Sequence, residues 1–101
     1  MSELKTIRRI TVYADSVLEQ PLLERFLELG ATGYSVTECR GKGKHEVVAD
    51  PFNGQERIRI EVLANVDLAD SIMQYLSRPE FKRRAIAACM DTVQVVAHEQ
   101  Y

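Results

Sequence analysis

The feature that most constrains the fold is a strict alternation of side chains between residues 57 and 62. Apolar residues at Ile58, Ile60 and Val62 alternate with charged residues at Arg57, Arg59 and Glu61. Because successive side chains of a strand point to opposite faces, this segment predicts a β-strand with one buried face and one polar face. The buried face needs a second layer of structure to cover it.

Three further segments predict strands, and two predict helices. Residues 6–14, 33–40 and 87–97 alternate or are rich in β-branched side chains, and residues 56–64 contain the strand above. A first helix has Pro21 in its first turn, an apolar stripe from Leu22 to Leu29, and Gly30 as its left-handed cap. A second helix begins at an N-cap, Asp67, and ends near Leu76, with a short turn continuing to Phe81.

The order of these elements is βαββαβ, which is the ferredoxin-like pattern of an α+β sandwich. In that pattern both helices cover one face of an antiparallel sheet. We expect residues 1–101 to form one domain, since a chain of this length with 46 % apolar residues can bury one core. The opposite face of the sheet is then either exposed to solvent or in contact with another subunit. Apolar side chains on both faces of the last strand, such as Val95 and Val96, favour an oligomer.

Composition excludes several classes of function. The net charge of −2 does not fit a dedicated nucleic-acid binder. Cys39 and Cys89 lie far apart and outside any metal-ligand spacing, so we expect two half-buried thiols in a reducing compartment. The polar N-terminus and the lack of a long apolar run predict an unexported cytoplasmic protein. His45 and His98 have no partner at metal-ligand or catalytic spacing, so we expect no metal site and no enzymatic activity.

The connection between the second and third strands, residues 41–55, is unusually long. Hairpin loops usually have about 2–5 residues, and structureless loops beyond roughly 12–15 are uncommon unless they are functional or disordered. Its entrance, RGKGKH, places Arg40, Lys42 and Lys44 around two glycines, where backbone N–H groups and cations can approach an anion. A basic glycine turn can equally be a solvated loop, because no complete phosphate-binding motif is present.

The stretch GATGYSVTECRGKGKHE, residues 30–46, resembles the entrance to the T-loop of PII signal-transduction proteins. IRIEVL, residues 58–63, is similar to the strand that leaves the T-loop. The resemblance covers these two strands well and the chain ends weakly. GYSV followed by GKGKH resembles most the branch that contains SbtB and carboxysome-associated PII proteins.

This resemblance implies a homotrimer with an adenine nucleotide in each cleft between subunits, and a T-loop between strands 2 and 3 that docks on a partner. The nucleotide-binding residues it implies are Gly33, Tyr34, Ser35, Gly41, Lys42, Gly43, Lys44, Glu61, Val62, Leu63, Arg83, Arg84 and Ala85. The partner-binding residues it implies are His45, Val47, Val48 and Phe52, although Phe52 could instead fold back on its own loop. Glu61 has an alternative role as an ion-pair partner of the neighbouring arginines.

Two departures from the family bear on the ligand. The family's glycines after the second helix are absent from KRRAIAA, residues 82–88, and its last-strand arginines fall on Ala97 and Glu99. Fewer fixed cations favour AMP, cyclic AMP or ADP over ATP with magnesium. The branch implies bicarbonate transport or sensing, with a membrane transporter or another protein as the partner and bicarbonate as a further ligand.

Two alternative functions share the same element order. A CutA-like trimer associated with divalent metals would use the bare face for assembly, but it gives the glycine-lysine loop no role. An RNA-binding ferredoxin-like domain needs aromatic residues on the central strands, and IRIEVLA, residues 58–64, has none. A nucleotide-binding regulator therefore accounts for more of the sequence than either alternative.

Overall fold

The computed structural model describes residues 3–40, 56–96 and 101, and these residues form four strands and two α-helices. The strands are β1 (Leu4–Asp15), β2 (Ser35–Cys39), β3 (Arg57–Ala64) and β4 (Ala87–Val96), and the helices are α1 (Glu19–Leu29) and α2 (Val66–Leu76). Short 3₁₀ turns follow β1, at Ser16–Leu18, and α2, at Pro79–Phe81. The predicted βαββαβ order is confirmed.

The four strands form one antiparallel sheet in the order β2-β3-β1-β4. The long strand β1 pairs with β3 from Arg8, opposite Ala64, to Asp15, opposite Arg57. On its other side β1 pairs with β4 over residues 4–13 and 87–96. Directly opposed residues point to the same face of a sheet, so this register assigns each side chain to the helix-covered face or to the opposite face.

The helix-covered face holds the core. In β1 the core residues are Ile10, Val12 and Ala14, and opposite them in β3 lie Val62, Ile60 and Ile58, all at most 2 % exposed. Both helices bury their apolar stripes against this face, with Phe26 of α1 and Ile72 of α2 fully buried. Burying one such side chain contributes about 1.5–3 kcal/mol, so the alternation along β3 determines which sheet face the helices cover.

Helix α1 has the predicted N-terminal and C-terminal signals. Pro21 lies in its first turn, where backbone N–H groups have no partner within the helix. The helix ends at Gly30, which has a φ of 121° and donates its N–H to the carbonyl of Leu27 at 3.1 Å. A positive φ of this kind favours glycine because other residues carry a Cβ atom.

Helix α2 corrects one sequence prediction. Its N-cap is Asn65, whose side chain accepts a hydrogen bond from the backbone N–H of Leu68 at 2.9 Å, and the predicted cap Asp67 lies inside the first turn. The strand β3 ends at Ala64, so the helix starts at the first residue that can cap it. Asp67 then places its negative charge near the positive end of the helix dipole.

An aromatic cluster connects the two helices to the 3₁₀ turn at Pro79–Phe81. The ring of Tyr75 meets Phe26 edge-on at 6.4 Å and Phe81 edge-on at 5.1 Å. The guanidinium groups of Arg25 and Arg78 lie 5.5 and 5.2 Å from the Tyr75 ring centre. These contacts anchor the chain just before the basic residues that follow the turn.

On the face opposite the helices, Ile7 and Thr11 of β1 are buried, at 1 % and 9 % exposed, and most of the neighbouring side chains are at least partly exposed. Arg59 and Glu61 project from this face as predicted, and both are half-buried. Arg57 is different from the prediction: it is only 8 % exposed, and its Nη1 donates to the carbonyl of Ala85 at 3.3 Å. The chain after the second 3₁₀ turn folds back over the first residue of β3 and covers this side chain.

The two cysteines are both free thiols, but only one fits the prediction. Cys39, at the end of β2, is half-buried, whereas Cys89 of β4 is exposed. Cys89 lies opposite Thr11 and therefore on the face that no helix covers. The expectation of two half-buried thiols is wrong for Cys89, because sequence does not reveal which strand lies at the sheet edge.

Candidate functional site

A cavity of about 410 Å³ opens at the end of the sheet where β2 begins. Its lining residues come from β1, from the segment between α1 and β2, from the first residue of β2, from β3 and from residue 101. They are Arg9, Thr32, Gly33, Tyr34, Ser35, Glu61, Leu63 and Tyr101. We call this the sheet-end cavity.

The register of the sheet explains why these residues meet. Ser35 lies opposite Glu61, and Arg9 lies opposite Leu63, so all four side chains point away from the helices. The segment before β2 leaves α1 at Gly30, and the N–H of Ala31 donates to the carbonyl of Phe26 at 2.9 Å. The cavity therefore combines a fixed strand wall with an irregular backbone segment.

Gly33 and Tyr34 form the irregular side of the cavity. A Cβ atom added to Gly33 would meet no atom within 4 Å, so packing inside the chain does not require a glycine there. Tyr34 is 48 % exposed although it is a large aromatic residue. An aromatic ring at the edge of a cavity, next to hydroxyl and carboxylate groups, can stack on a flat ligand and position its polar edge.

The charges of the cavity come from Arg9 and Glu61. Arg9 donates from Nε and Nη2 to the carboxylate oxygens of Asp91 on β4, at 3.1 and 2.7 Å. These hydrogen bonds hold the pKa of the Asp91 carboxyl below its usual value, and Asp91 raises the pKa of Arg9. Both groups are therefore charged at neutral pH, and the guanidinium has a fixed orientation.

Glu61 keeps its carboxylate available to the cavity. Its Oε1 lies 3.9 Å from Nε of Arg59, which is an ion pair but is too long for a hydrogen bond. Nε of Arg59 is itself buried and has no hydrogen-bond partner in the described part of the chain. The ion-pair role and the ligand role considered for Glu61 are thus compatible in this geometry.

The structure brings together five of the nucleotide-binding residues inferred from sequence. They are Gly33, Tyr34, Ser35, Glu61 and Leu63. Val62 lies on the same strand, but its side chain is fully buried in the core, so only its backbone could reach a ligand. Sequence reasoning missed Arg9, Thr32 and Tyr101. The alternation along β1 does indicate that Arg9 points away from the core. That Arg9 lies near the start of β2 follows only from the order of the strands.

The other three predicted binding residues within the described ranges line a second, basic cavity. Arg83, Arg84 and Ala85 surround a space of about 200 Å³ together with Asp15, Val17, Leu18 and Arg57. No residue among 3–40, 56–96 and 101 lines both cavities, and Arg57 lies four residues along β3 from Glu61, a separation of roughly 13 Å. Ala85 has a φ of 52°, which is unusual for a residue other than glycine.

The remaining predictions fall outside the described residues. They concern Gly41, Lys42, Gly43, Lys44, His45, Val47, Val48 and Phe52. Within residues 3–40, 56–96 and 101, no group of three or more His, Cys, Asp or Glu side chains could hold a metal ion.

Comparison with known proteins identifies the family. The model of the family described as nitrogen regulatory protein P-II matches residues 7–100. The chain belongs to the P-II family. A PII-like signalling protein from Thermus thermophilus is 34 % identical over 94 % of each chain, with a TM-score of 0.77. No curated protein matches this P-II chain.

More distant structures share the P-II fold. CPII from Thiomonas intermedia K12, solved with ADP, AMP and acetate, is 17 % identical, covers 93 % of this chain and 92 % of its own, and has a TM-score of 0.79. The same protein with ADP and bicarbonate is 16 % identical, with a TM-score of 0.78 over 92 % and 91 % of the two chains. In the part of this P-II chain that is described, neither α1 nor α2 has the character of a membrane-spanning helix.

Proposed function

We propose that this P-II protein is a regulator that binds an adenine nucleotide in clefts between the subunits of a homotrimer. The adenosine would lie in the sheet-end cavity against Tyr34, Ser35 and Glu61. The phosphates would lie against the basic cavity at Arg83 and Arg84 of the neighbouring subunit, and against the loop entrance at residues 41–44. The protein would act by binding, without catalysis of its own.

The observation that carries this proposal is the division of the binding residues between two cavities. The sheet-end cavity offers an aromatic ring, hydroxyls and a carboxylate, which suit a base and a ribose. The basic cavity offers Arg83 and Arg84, which suit phosphate, whereas its third arginine, Arg57, is buried and donates to the carbonyl of Ala85. Because no described residue lines both cavities of one chain, we infer that a nucleotide uses the sheet-end cavity of one copy and the basic cavity of the next.

Three considerations support the choice of ligand. CPII, which shares the fold, was solved with ADP and AMP, and also with bicarbonate. In the sheet-end cavity the cation Arg9 is already paired with Asp91, and Glu61 adds a negative charge. This balance disfavours a highly charged ligand, so we place AMP, cyclic AMP or ADP before ATP with magnesium. Bicarbonate would be a second, smaller ligand.

The partner and its context are inferred from the sequence resemblance. We assign the chain to the branch of SbtB and carboxysome-associated PII proteins, with a cytoplasmic role in bicarbonate transport or sensing. Residues 41–55 would be the T-loop that contacts a membrane transporter or another protein, with His45, Val47, Val48 and Phe52 in the contact. A ligand can redirect such a loop only through its different affinity for the two loop conformations.

Calorimetry tests the ligand, and light scattering tests the assembly. We expect binding of AMP, cyclic AMP or ADP in preference to ATP with magnesium, measured with and without bicarbonate, and a particle three times the chain mass of 11.5 kDa. Replacing Gly41 by valine should abolish binding while the thermal stability of the free protein stays unchanged, because a side chain there would block the backbone from phosphate. A monomer at micromolar concentration, or no binding of any adenine nucleotide, would refute the proposal.

Hydrogen exchange tests the signalling segment. Residues 41–55 should change their protection when the selected nucleotide is added, whereas core strands such as β3 should not. Equal and strong protection of this segment in the free and the nucleotide-bound protein would exclude a ligand-dependent change of its conformation.

A further inference from the structure

We propose that Arg9 is a specificity residue of the sheet-end cavity and that it recognises an oxyanion of the bound ligand. The proposal rests on the function proposed above, because it names the chemistry that one wall of the nucleotide site selects. It concerns a residue on β1 that is not among the described residues lining the basic cavity.

The first observation is the way Arg9 uses its hydrogen-bond donors. A guanidinium has five N–H groups in one plane. Asp91 accepts from Nε and Nη2, at 3.1 and 2.7 Å, which occupies one edge of the fork. Nη1 has no hydrogen-bond partner in the described part of the chain, so one edge of a rigid, charged group is available to a ligand.

The second observation is the position of this group. Arg9 lines the cavity, its side chain is 42 % exposed, and it supplies the positive charge among the described lining residues. Tyr34 and Ser35 lie in the same lining, so a ligand that stacks on the ring and bonds the hydroxyl would bring its substituents close to Arg9. An oxygen anion can accept from a fixed guanidinium without the cost of ordering a flexible side chain.

The neighbouring residue Arg8 provides a matched control. Its Nη1 donates to the hydroxyl of Thr92 on β4 at 2.7 Å, so it too ties β1 to β4. Arg8 points to the other face of the sheet and does not line the sheet-end cavity. Replacing Arg8 therefore removes the same charge and a cross-strand hydrogen bond, although not an ion pair, without touching the proposed site.

The oxyanion is either the phosphate next to the ribose, at the point where the nucleotide leaves the sheet-end cavity for the basic cavity, or a free anion beside the nucleoside. Phosphate and bicarbonate present the same acceptor oxygens to a guanidinium, so the structure identifies the shared chemistry. The two sources are separated by comparing AMP with adenosine plus inorganic phosphate or bicarbonate.

The experiment measures the affinities of AMP and adenosine by calorimetry in the wild-type protein, Arg9→Gln and Arg8→Gln. We expect Arg9→Gln to weaken AMP binding about tenfold or more, as for a lost hydrogen bond to a charged group, with adenosine alone changed less than about twofold. Arg8→Gln should leave both affinities at the wild-type level. If the anion is free, adding phosphate or bicarbonate should strengthen adenosine binding in the wild type but not in Arg9→Gln.

The controls separate this inference from the proposed function. If the wild type does not bind AMP, the proposed function is refuted. If the wild type binds AMP, Arg9→Gln binds it with the same affinity, and no effect of added anion depends on Arg9, only the role of Arg9 is refuted. If Arg9→Gln fails to fold or assemble, Arg9→Lys keeps the charge but loses the planar fork, and the preference for AMP over adenosine should fall by about threefold or more. An unchanged preference in Arg9→Lys would overturn the inference.

Discussion

Replacement of Ala85 by glycine tests the backbone of the basic cavity. Ala85 has a φ of 52°, and its carbonyl accepts from Nη1 of Arg57 at 3.3 Å. A left-handed conformation costs a residue with a Cβ atom roughly 1–2 kcal/mol, whereas glycine adopts it without that cost. Against this, glycine gives the unfolded chain more conformational entropy, which lowers the stability of the variant by about 0.4–1 kcal/mol. The net expectation is that Ala85→Gly stabilises the protein by about 0.5–1 kcal/mol.

The matched control is Ala87→Gly, two residues further on. Ala87 is the first residue of β4, is exposed, and has no positive φ, so glycine there should cost about 0.5–1 kcal/mol. The two variants should differ by about 1–2 kcal/mol in the free energy of unfolding. Urea denaturation at one fixed protein concentration measures this difference, and the m-value should not change. A loss of stability in Ala85→Gly as large as that in Ala87→Gly would refute the left-handed assignment.

Three further predictions concern the site and the helix caps. Gly33→Val should weaken adenine nucleotide binding by tenfold or more with little change in melting temperature, because its Cβ position is open, whereas Gly30→Val should destabilise the fold because of its φ of 121°. The lowered pKa of Asp91 predicts stability that is present above the usual carboxyl pKa and is lost as the pH falls through the lowered value. The melting temperature of Asp91→Asn should therefore change less with pH across the acid range than that of the wild type. Asn65→Ala should cost about 1 kcal/mol in denaturant unfolding, and Asp67→Ala should cost clearly less, which would be reversed if Asp67 were the cap.

The fold was predictable because the patterns that define it are local. The alternation at Ile58, Ile60 and Val62 fixed the buried face of β3, and Gly30 marked the end of α1. These signals need only the spacing of side chains along one element. The cap of α2 was wrong by two residues because Asn65 and Asp67 are both good caps, and only the end of β3 selects between them.

The site was less predictable because it depends on strand order and register. Gly33, Tyr34 and Ser35, which line the sheet-end cavity, were predicted through a resemblance in consecutive residues. Arg9 could not be found in that way, since it reaches the cavity only because β1 lies beside β3 and is offset so that Arg9 faces Leu63. The burial of Arg57 has the same origin, because its cover is a backbone segment that is distant in sequence.

The pairing of β1 with β4 has a consequence for how the chain reaches its native state. Leu4 pairs with Val96, so β1, one of the two central strands of the sheet, has a neighbour that is distant in sequence. Contacts of such high sequence separation slow folding, because the entropy of closing a long loop is lost before the contacts form. During synthesis, the edge of β1 that pairs with β4 would have no hydrogen-bond partner until residue 96 had been translated. We therefore expect nascent chains that lack β4 to rely on chaperones, and the sheet to close late in folding.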